Sequence, residues 1–199
     1  MSTEINPVVN IEKAEEQKAP SAPKRLKRVK LIVAYDGTNY HGWQVQPNGE
    51  TIEGVLNRTL SSLLGEKIIV TGASRTDAGV HSMGNVAVFD TKSRIPAEKI
   101  SYALNQRLPE DIVVQKSEEV PADFHPRHCD SRKTYEYRIL NREFPLPMYR
   151  NNTYFCYRKL DLEKMQQAAE YLRGEHDFKS FCATAAVVET TVRTIYELT

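Results

Sequence analysis

The chain has few cysteines, and they make no pattern. Cys129, Cys156 and Cys182 are odd in number and widely spaced, which argues against a disulfide framework and leaves no zinc-knuckle spacing. They read as reduced, partly buried thiols. No apolar run approaches the roughly 20 residues that cross a bilayer, and the N-terminus lacks the apolar core of a signal peptide. A cytoplasmic setting without a membrane partner is expected. Charge of one sign is also missing: a formal net charge of +1 over 199 residues does not announce a polyanionic partner, so a surface for nucleic acid has to be a local patch. There is no P-loop and no D-x-D pair. His125, His128 and Cys129 lie close together but have no second ligand cluster at zinc spacing, so no metal is expected. What remains is the balance of an ordinary globular protein, 40% hydrophobic and 27% charged, long enough for one domain or for two small subdomains sharing a cleft.

Residues 1–28 mix Glu, Lys, Ala, Pro and Ser and end in a basic run, Lys24, Arg25, Lys27 and Arg28, as a disordered tail would. Order is expected from Val29, where V-K-L-I-V-A-Y-D reads as a short, largely buried strand. Thr51 can cap a helix with apolar residues at Ile52, Val55, Leu56, Leu60, Leu63 and Leu64, closed by Gly65. Strands are expected over Lys67–Gly72 and Asn85–Thr91, a helix opened by Pro96 and running through Leu108, and a strand over Asp111–Val120. This gives the order β-α-β-β-α-β. A second series follows: an alternating strand over Arg132–Asn141 with Tyr135, Tyr137 and Ile139 on one face, a strand near Thr153–Tyr157, a helix over Asp161–Arg173 and a strand near Val187–Leu198. Strands in adjacent pairs predict two tandem α+β subdomains, at 29–125 and 126–199, rather than one doubly wound sheet. The alternation Val192, Thr194, Tyr196, Leu198 still runs at Thr199, so the second subdomain is expected to be incomplete.

The segment richest in chemistry is G-A-S-R-T-D-A-G-V-H, Gly72–His81, a loop between two apolar strands. Its small residues let the backbone approach a bulky ligand, and Arg75 and Asp77 are close enough to share one pocket. On these grounds alone Asp77 is a nucleophile, a general base or a loop-capping residue. Arg127, Arg132, Lys133, Arg138 and Arg142 crowd one stretch interleaved with tyrosines, as a phosphate-contacting strand or a solvated charged face would. Tyr40 and Trp43 read as packing residues that anchor a loop.

The same loop resembles the signature of the TruA-type tRNA pseudouridine synthases, in which R-T-D carries the catalytic aspartate. Further segments resemble that family in its own order: Y-D-G-T-N-Y-H-G-W-Q at Tyr35–Gln44, L-P-E-D-I at Leu108–Ile112, D-F-H-P-R at Asp123–Arg127, K-T-Y-E-Y-R at Lys133–Arg138 and H-D-F-K-S-F at His176–Phe181. The resemblance implies two ferredoxin-like (RRM-like) halves whose sheets join into one antiparallel sheet along a central cleft. It implies a homodimer acting on tRNA, at uridines 38, 39 and 40 of the anticodon stem-loop, without cofactor or metal. Asp77 takes the place of the family's catalytic carboxylate and Tyr135 that of its active-site tyrosine. Arg75 matches the arginine that enters the space left by the flipped base. Phe124, His125 and Arg127 resemble a substrate-proximal loop, and Arg132 and Lys133 fall in the basic strand. Family members continue beyond the last strand with a segment resembling F-L-x-x-M-V-R, which these 199 residues do not contain. The alternative expectation is therefore a catalytically silent, tRNA-binding fragment.

Overall fold

The computed structural model describes residues 25–182 and 190–199. Its contacts divide the chain into two compact units, Met1–Ser131 and Arg132–Thr199. This division falls later than the 125/126 boundary expected from sequence, because Arg127 Nε donates to the carbonyl of Gly72 at 2.9 Å and so ties residues beyond 125 to the first unit. Most of the expected tail, residues 1–24, lies outside the described residues. Its basic end does not: the first strand, β1 (Lys27–Tyr35), begins two residues before Val29. Arg28 is drawn into the sheet by an ion pair with Asp90 at 2.7 Å.

In the first unit, alternation in β1 sends Val29, Leu31, Val33 and Tyr35 into the core. Helix α1 (Ile52–Leu64) starts where the Thr51 hydroxyl accepts the Gly54 N–H and ends at Gly65, as its apolar spacing predicts. Strands β2 (Thr71–Gly72) and β3 (Ser82–Thr91), helix α2 (Ala97–Asn105) and strand β4 (Ile112–Val120) follow. The sheet order is β2-β3-β1-β4 with every neighbouring pair antiparallel, which makes two interleaved split β-α-β units. One core cluster joins the inner face of β1 to Ile52, Leu56 and Leu60 of α1, to Ile100 and Leu104 of α2, and to Ala87, Phe89, Ile112 and Val114 of the sheet.

The strand expected over Lys67–Gly72 shortens to two residues, for a local reason. The Ile68 N–H donates to Ser61 Oγ at 2.9 Å and the Val70 N–H to Asn57 Oδ1 at 2.8 Å, so side chains of α1 satisfy this backbone in place of a neighbouring strand.

The second unit is less regular. Strands β5 (Ile139–Asn141) and β6 (Tyr154–Cys156) pair in parallel. Helix α3 (Leu162–Glu170) comes next, and β7 (Gly174–Asp177) pairs antiparallel with β8 (Val192–Ile195). The strand expected over Arg132–Asn141 is thus confined to its last three residues; 132–138 have no regular structure, and Tyr135 and Tyr137 are 81% and 85% exposed. Alternation assigns faces, but a strand also needs a neighbour, and among the described residues none pairs with 132–137. The expected strand near Val187–Leu198 contracts to β8, with 187–189 outside the described residues. Its partner β7, G-E-H-D, is too short and polar to announce itself. No described residue after Pro126 is buried.

Stability should therefore reside in the first unit. Leu56→Ala removes a fully buried side chain and should cost about 2–5 kcal/mol. Tyr171→Ala, at a residue 81% exposed, should stay within about 0.5 kcal/mol. Urea unfolding followed by Trp43 fluorescence measures both.

Candidate active site

The loop between β2 and β3 is held on several sides. At its start the Ala73 N–H donates to Val86 O at 2.7 Å, and the buried Asn85 side chain both accepts from Ser74 N and donates to Ser74 O, at 3.3 and 3.1 Å. At its centre the Trp43 N–H donates to Thr76 O at 3.0 Å, and the Thr76 hydroxyl meets Tyr35 OH at 2.8 Å. Burial raises the Tyr35 phenol above its ordinary pKa, so it serves as a neutral hydrogen-bonding group. At its end the Gly79 N–H donates to Tyr40 O at 3.2 Å. His81 Nδ1 lies 3.0 Å from Asp36 Oδ1 and 3.2 Å from the Gly37 nitrogen. The Asp36 carboxyl is held below the usual carboxylate range, chiefly by the Thr38 hydroxyl, next by the Thr38 N–H, and to a smaller degree by His81.

The segment that braces the loop is itself anchored. Trp43 is 1% exposed, with its ring centroid 5.9 Å from that of Tyr35. Tyr40 OH donates to Asp111 Oδ1 at 2.5 Å. Burial first, and then that carboxylate, raise the Tyr40 phenol well above its ordinary value. Both residues pack and anchor, as their sequence setting predicts. Gly42 takes the left-handed conformation, φ 83°, in contact with the loop: a Cβ there would lie 2.5 Å from Thr76 O.

These constraints leave Arg75 and Asp77 on one cavity of about 520 Å³. Its lining comprises Arg75, Thr76, Asp77 and Ala78 from the loop and His41, Gln44, Val45, Gln46 and Asn48 from the segment before α1. Among the described residues the Asp77 carboxylate has no ion-pair or side-chain hydrogen-bond partner. The sequence reading joined Arg75 to Asp77 but did not foresee the 41–48 wall. The polar run in that segment was visible, yet its approach to residue 77 is a tertiary fact.

The other expected site residues are distributed differently. Arg127 reaches the root of the loop through Gly72 O. Phe124 and His125 do not line the cavity. The Phe124 carbonyl accepts from Arg28 at 3.0 Å, and Lys30 Nζ sits 5.8 Å from its ring centroid. His125 lies against His128, centroids 4.4 Å apart, and partial burial followed by the charges of His128 and Arg127 pushes its pKa down. Tyr135, Arg132 and Lys133 belong to the second unit, where the Arg132 guanidinium stacks 4.3 Å from the Tyr196 ring centroid. Among the described residues no group of three or more His, Cys, Asp or Glu is placed to hold a metal ion, and no helix is long and apolar enough to cross a membrane.

A carboxylate and a guanidinium held on one cavity by a braced loop define a candidate acid–base or nucleophilic enzyme site on a mixed α+β scaffold. The family model described as tRNA pseudouridine synthase matches residues 31–128 and 168–199, which include Arg75, Asp77, Phe124, His125 and Arg127 but not Tyr135. The tRNA pseudouridine synthase A of Acetivibrio thermocellus is 49% identical over 173 residues, covering 87% of this chain and 71% of that protein. That of Ruminiclostridium cellulolyticum is 49% identical over 171 residues, covering 86% and 70%. That of Thermoanaerobacter pseudethanolicus is 47% identical over 174 residues, covering 87% and 71%. The chain belongs to the tRNA pseudouridine synthases, a family of isomerases.

The brace can be tested at two glycines. Gly42→Ala imposes a left-handed alanine and drives its methyl into Thr76 O, whereas Gly79→Ala, φ 77°, meets nothing within 4 Å. Gly79→Ala should cost about 1–2 kcal/mol for the conformation alone. Gly42→Ala should cost more, on the order of 3 kcal/mol, and should lower activity beyond its effect on folding. Urea midpoints and turnover measured on both variants give the comparison.

Proposed function

We propose that the chain isomerises uridine to pseudouridine in tRNA, at positions 38, 39 and 40 of the anticodon stem-loop, with Asp77 as the catalytic carboxylate. The observation that carries this reading is the shared cavity: Asp77 and Arg75 face a volume of about 520 Å³, in the size range of small-molecule and nucleotide sites. The reaction breaks the C1′–N1 bond, turns the uracil and forms C1′–C5; N1 gains a proton and C5 loses one, so atoms and electrons balance without a co-reactant. An ionised Asp77 can attack C1′ or C6, or remove the C2′ proton, and each route needs its negative charge.

A uridine inside a stem must leave the stack first, at a cost of a few kcal/mol. Arg75, exposed at the cavity beside Asp77, suits the role of filling the vacated space. Tyr135 is assigned to pack on the uracil and assist loss of the C5 proton. Lys133 and Arg132, with Arg127 at the loop root, are assigned to the RNA backbone. Cations on the outer face of the first sheet are less suited to this, because they are already paired. Lys30 and Lys116 both hold Glu118, whose carboxyl is pulled down to about 2, first by the Lys116 hydrogen bond and then by that of Lys30.

The split β-α-β order of the first unit supports a ferredoxin-like half, and the proposal extends this to two such halves, 29–125 and 126–199, with a joint sheet and central cleft. Exposed apolar side chains on the second unit, among them Leu162 and Met165, support a partner surface, consistent with a homodimer.

Asp77→Asn keeps the shape and removes the charge. Pseudouridine formation on an anticodon stem-loop should fall by at least about 10²-fold while RNA affinity stays within about threefold. A variant that kept more than about a hundredth of the parent rate would place the chemistry elsewhere.

A further inference from the structure

The wall that lines the cavity together with Asp77 is rich in neutral polar side chains. Apart from the loop residues it offers three side-chain amides, Gln44, Gln46 and Asn48, one exposed aliphatic side chain, Val45, and the His41 imidazole. Arg75 is the one permanent cation in the lining and Asp77 the one carboxylate. A phosphate group only accepts hydrogen bonds and would be repelled by Asp77, so a phosphate site would need more donors of positive charge. Side-chain amides both donate and accept, which matches a neutral group with alternating functions such as the O2, N3–H, O4 edge of uracil.

The wall is also preorganised. The His41 N–H donates to Glu50 O at 2.8 Å, and the Val45 N–H donates to Glu53 Oε2 at 2.9 Å, so the beginning and the middle of the wall are fixed to Glu50 and to the first turn of α1. The Gln46 amide donates to the His41 carbonyl and is committed to shaping the segment. Among the described residues the amides of Gln44 and Asn48 have no protein partner, and Val45 is 53% exposed.

We infer that the 41–48 segment is the recognition wall for the nucleobase presented to Asp77: Gln44 and Asn48 hydrogen-bond its polar edge, Val45 covers its face, and Gln46 positions the other two. This rests on the tRNA-modifying reading and deepens it by separating base recognition, in the first unit, from contacts to the RNA backbone.

The test uses the full chain carrying Asp77→Asn, so that no product forms during binding. Two anticodon stem-loop RNAs are compared, one with a single uridine in the 38–40 stretch and one with an abasic residue at the same place. Adding Gln44→Ala or Asn48→Ala should weaken binding of the uridine RNA about 3–10-fold each, and about 10–100-fold together, with abasic RNA bound within about twofold of the parent. Both residues are exposed, so thermal midpoints should not move. Equal losses on both RNAs, or no loss on either, would overturn the inference. Product formation by the chain with Asp77 intact is followed in parallel. If no pseudouridine forms while the base-dependent loss is present, the enzymatic reading fails and the wall stands. If pseudouridine forms while the amide variants bind both RNAs as the parent does, the wall fails alone.

Discussion

Two backbone hydrogen bonds connect the segment before α1 to the Gly72–His81 loop, Trp43 N–H to Thr76 O and Gly79 N–H to Tyr40 O, and the candidate site depends on the register they set. Each contributes only about 1 kcal/mol net. The segment is held in place by something larger: Tyr40 and Trp43 are both more than nine-tenths buried, and aromatic rings of this kind bury about 150–250 Å² each, an upper bound of about 4–6 kcal/mol apiece at 25 cal/mol/Å². Packing thus supplies the stability and hydrogen bonding the precision. A loop that starts at the edge strand β2 and carries an exposed carboxylate is tied to β3 only near its root, through β2, Ala73 and Ser74, so its centre depends on the segment before α1.

How much of this was legible in the sequence depended on whether the signal was local. The Thr51 cap, the apolar spacing of α1 and the alternation of β1 are set by neighbouring residues, and the structure follows them closely. The Lys67–Val70 segment has strand composition, but Asn57 and Ser61 of α1 capture its N–H groups, a competition that no window around residue 67 contains. The same holds at the site. Arg75 and Asp77 are two residues apart and were joined by inspection, whereas Gln44 and Asn48 reach the same cavity from some thirty residues away through the Gly42 turn. Arg127, expected in a substrate-proximal loop, has a guanidinium that donates to the Gly72 carbonyl at the loop root, a contact across 55 residues that no local pattern announces.

The second unit shows the other limit. Tyr135, Tyr137 and Ile139 alternate as a half-buried strand would, yet the first two are among the most exposed aromatic residues of the chain. α3 has a capped start at Asp161 and an amphipathic pattern, with no buried residue. Such patterns state which face is apolar. They do not name the surface that covers it, and burial follows from the covering surface.

In the proposed enzyme, the Tyr35–Thr76–Trp43 contacts hold Asp77 in position for the reaction. Single-turnover pseudouridine formation by Thr76→Val, with Thr76→Ser beside it, tests this most directly, because valine keeps the shape and loses the hydroxyl that meets Tyr35 OH at 2.8 Å. The chemical step should slow about 10-fold or more in the valine variant at unchanged RNA affinity, with the serine variant near the parent rate. A valine variant that turned over at the parent rate would contradict it.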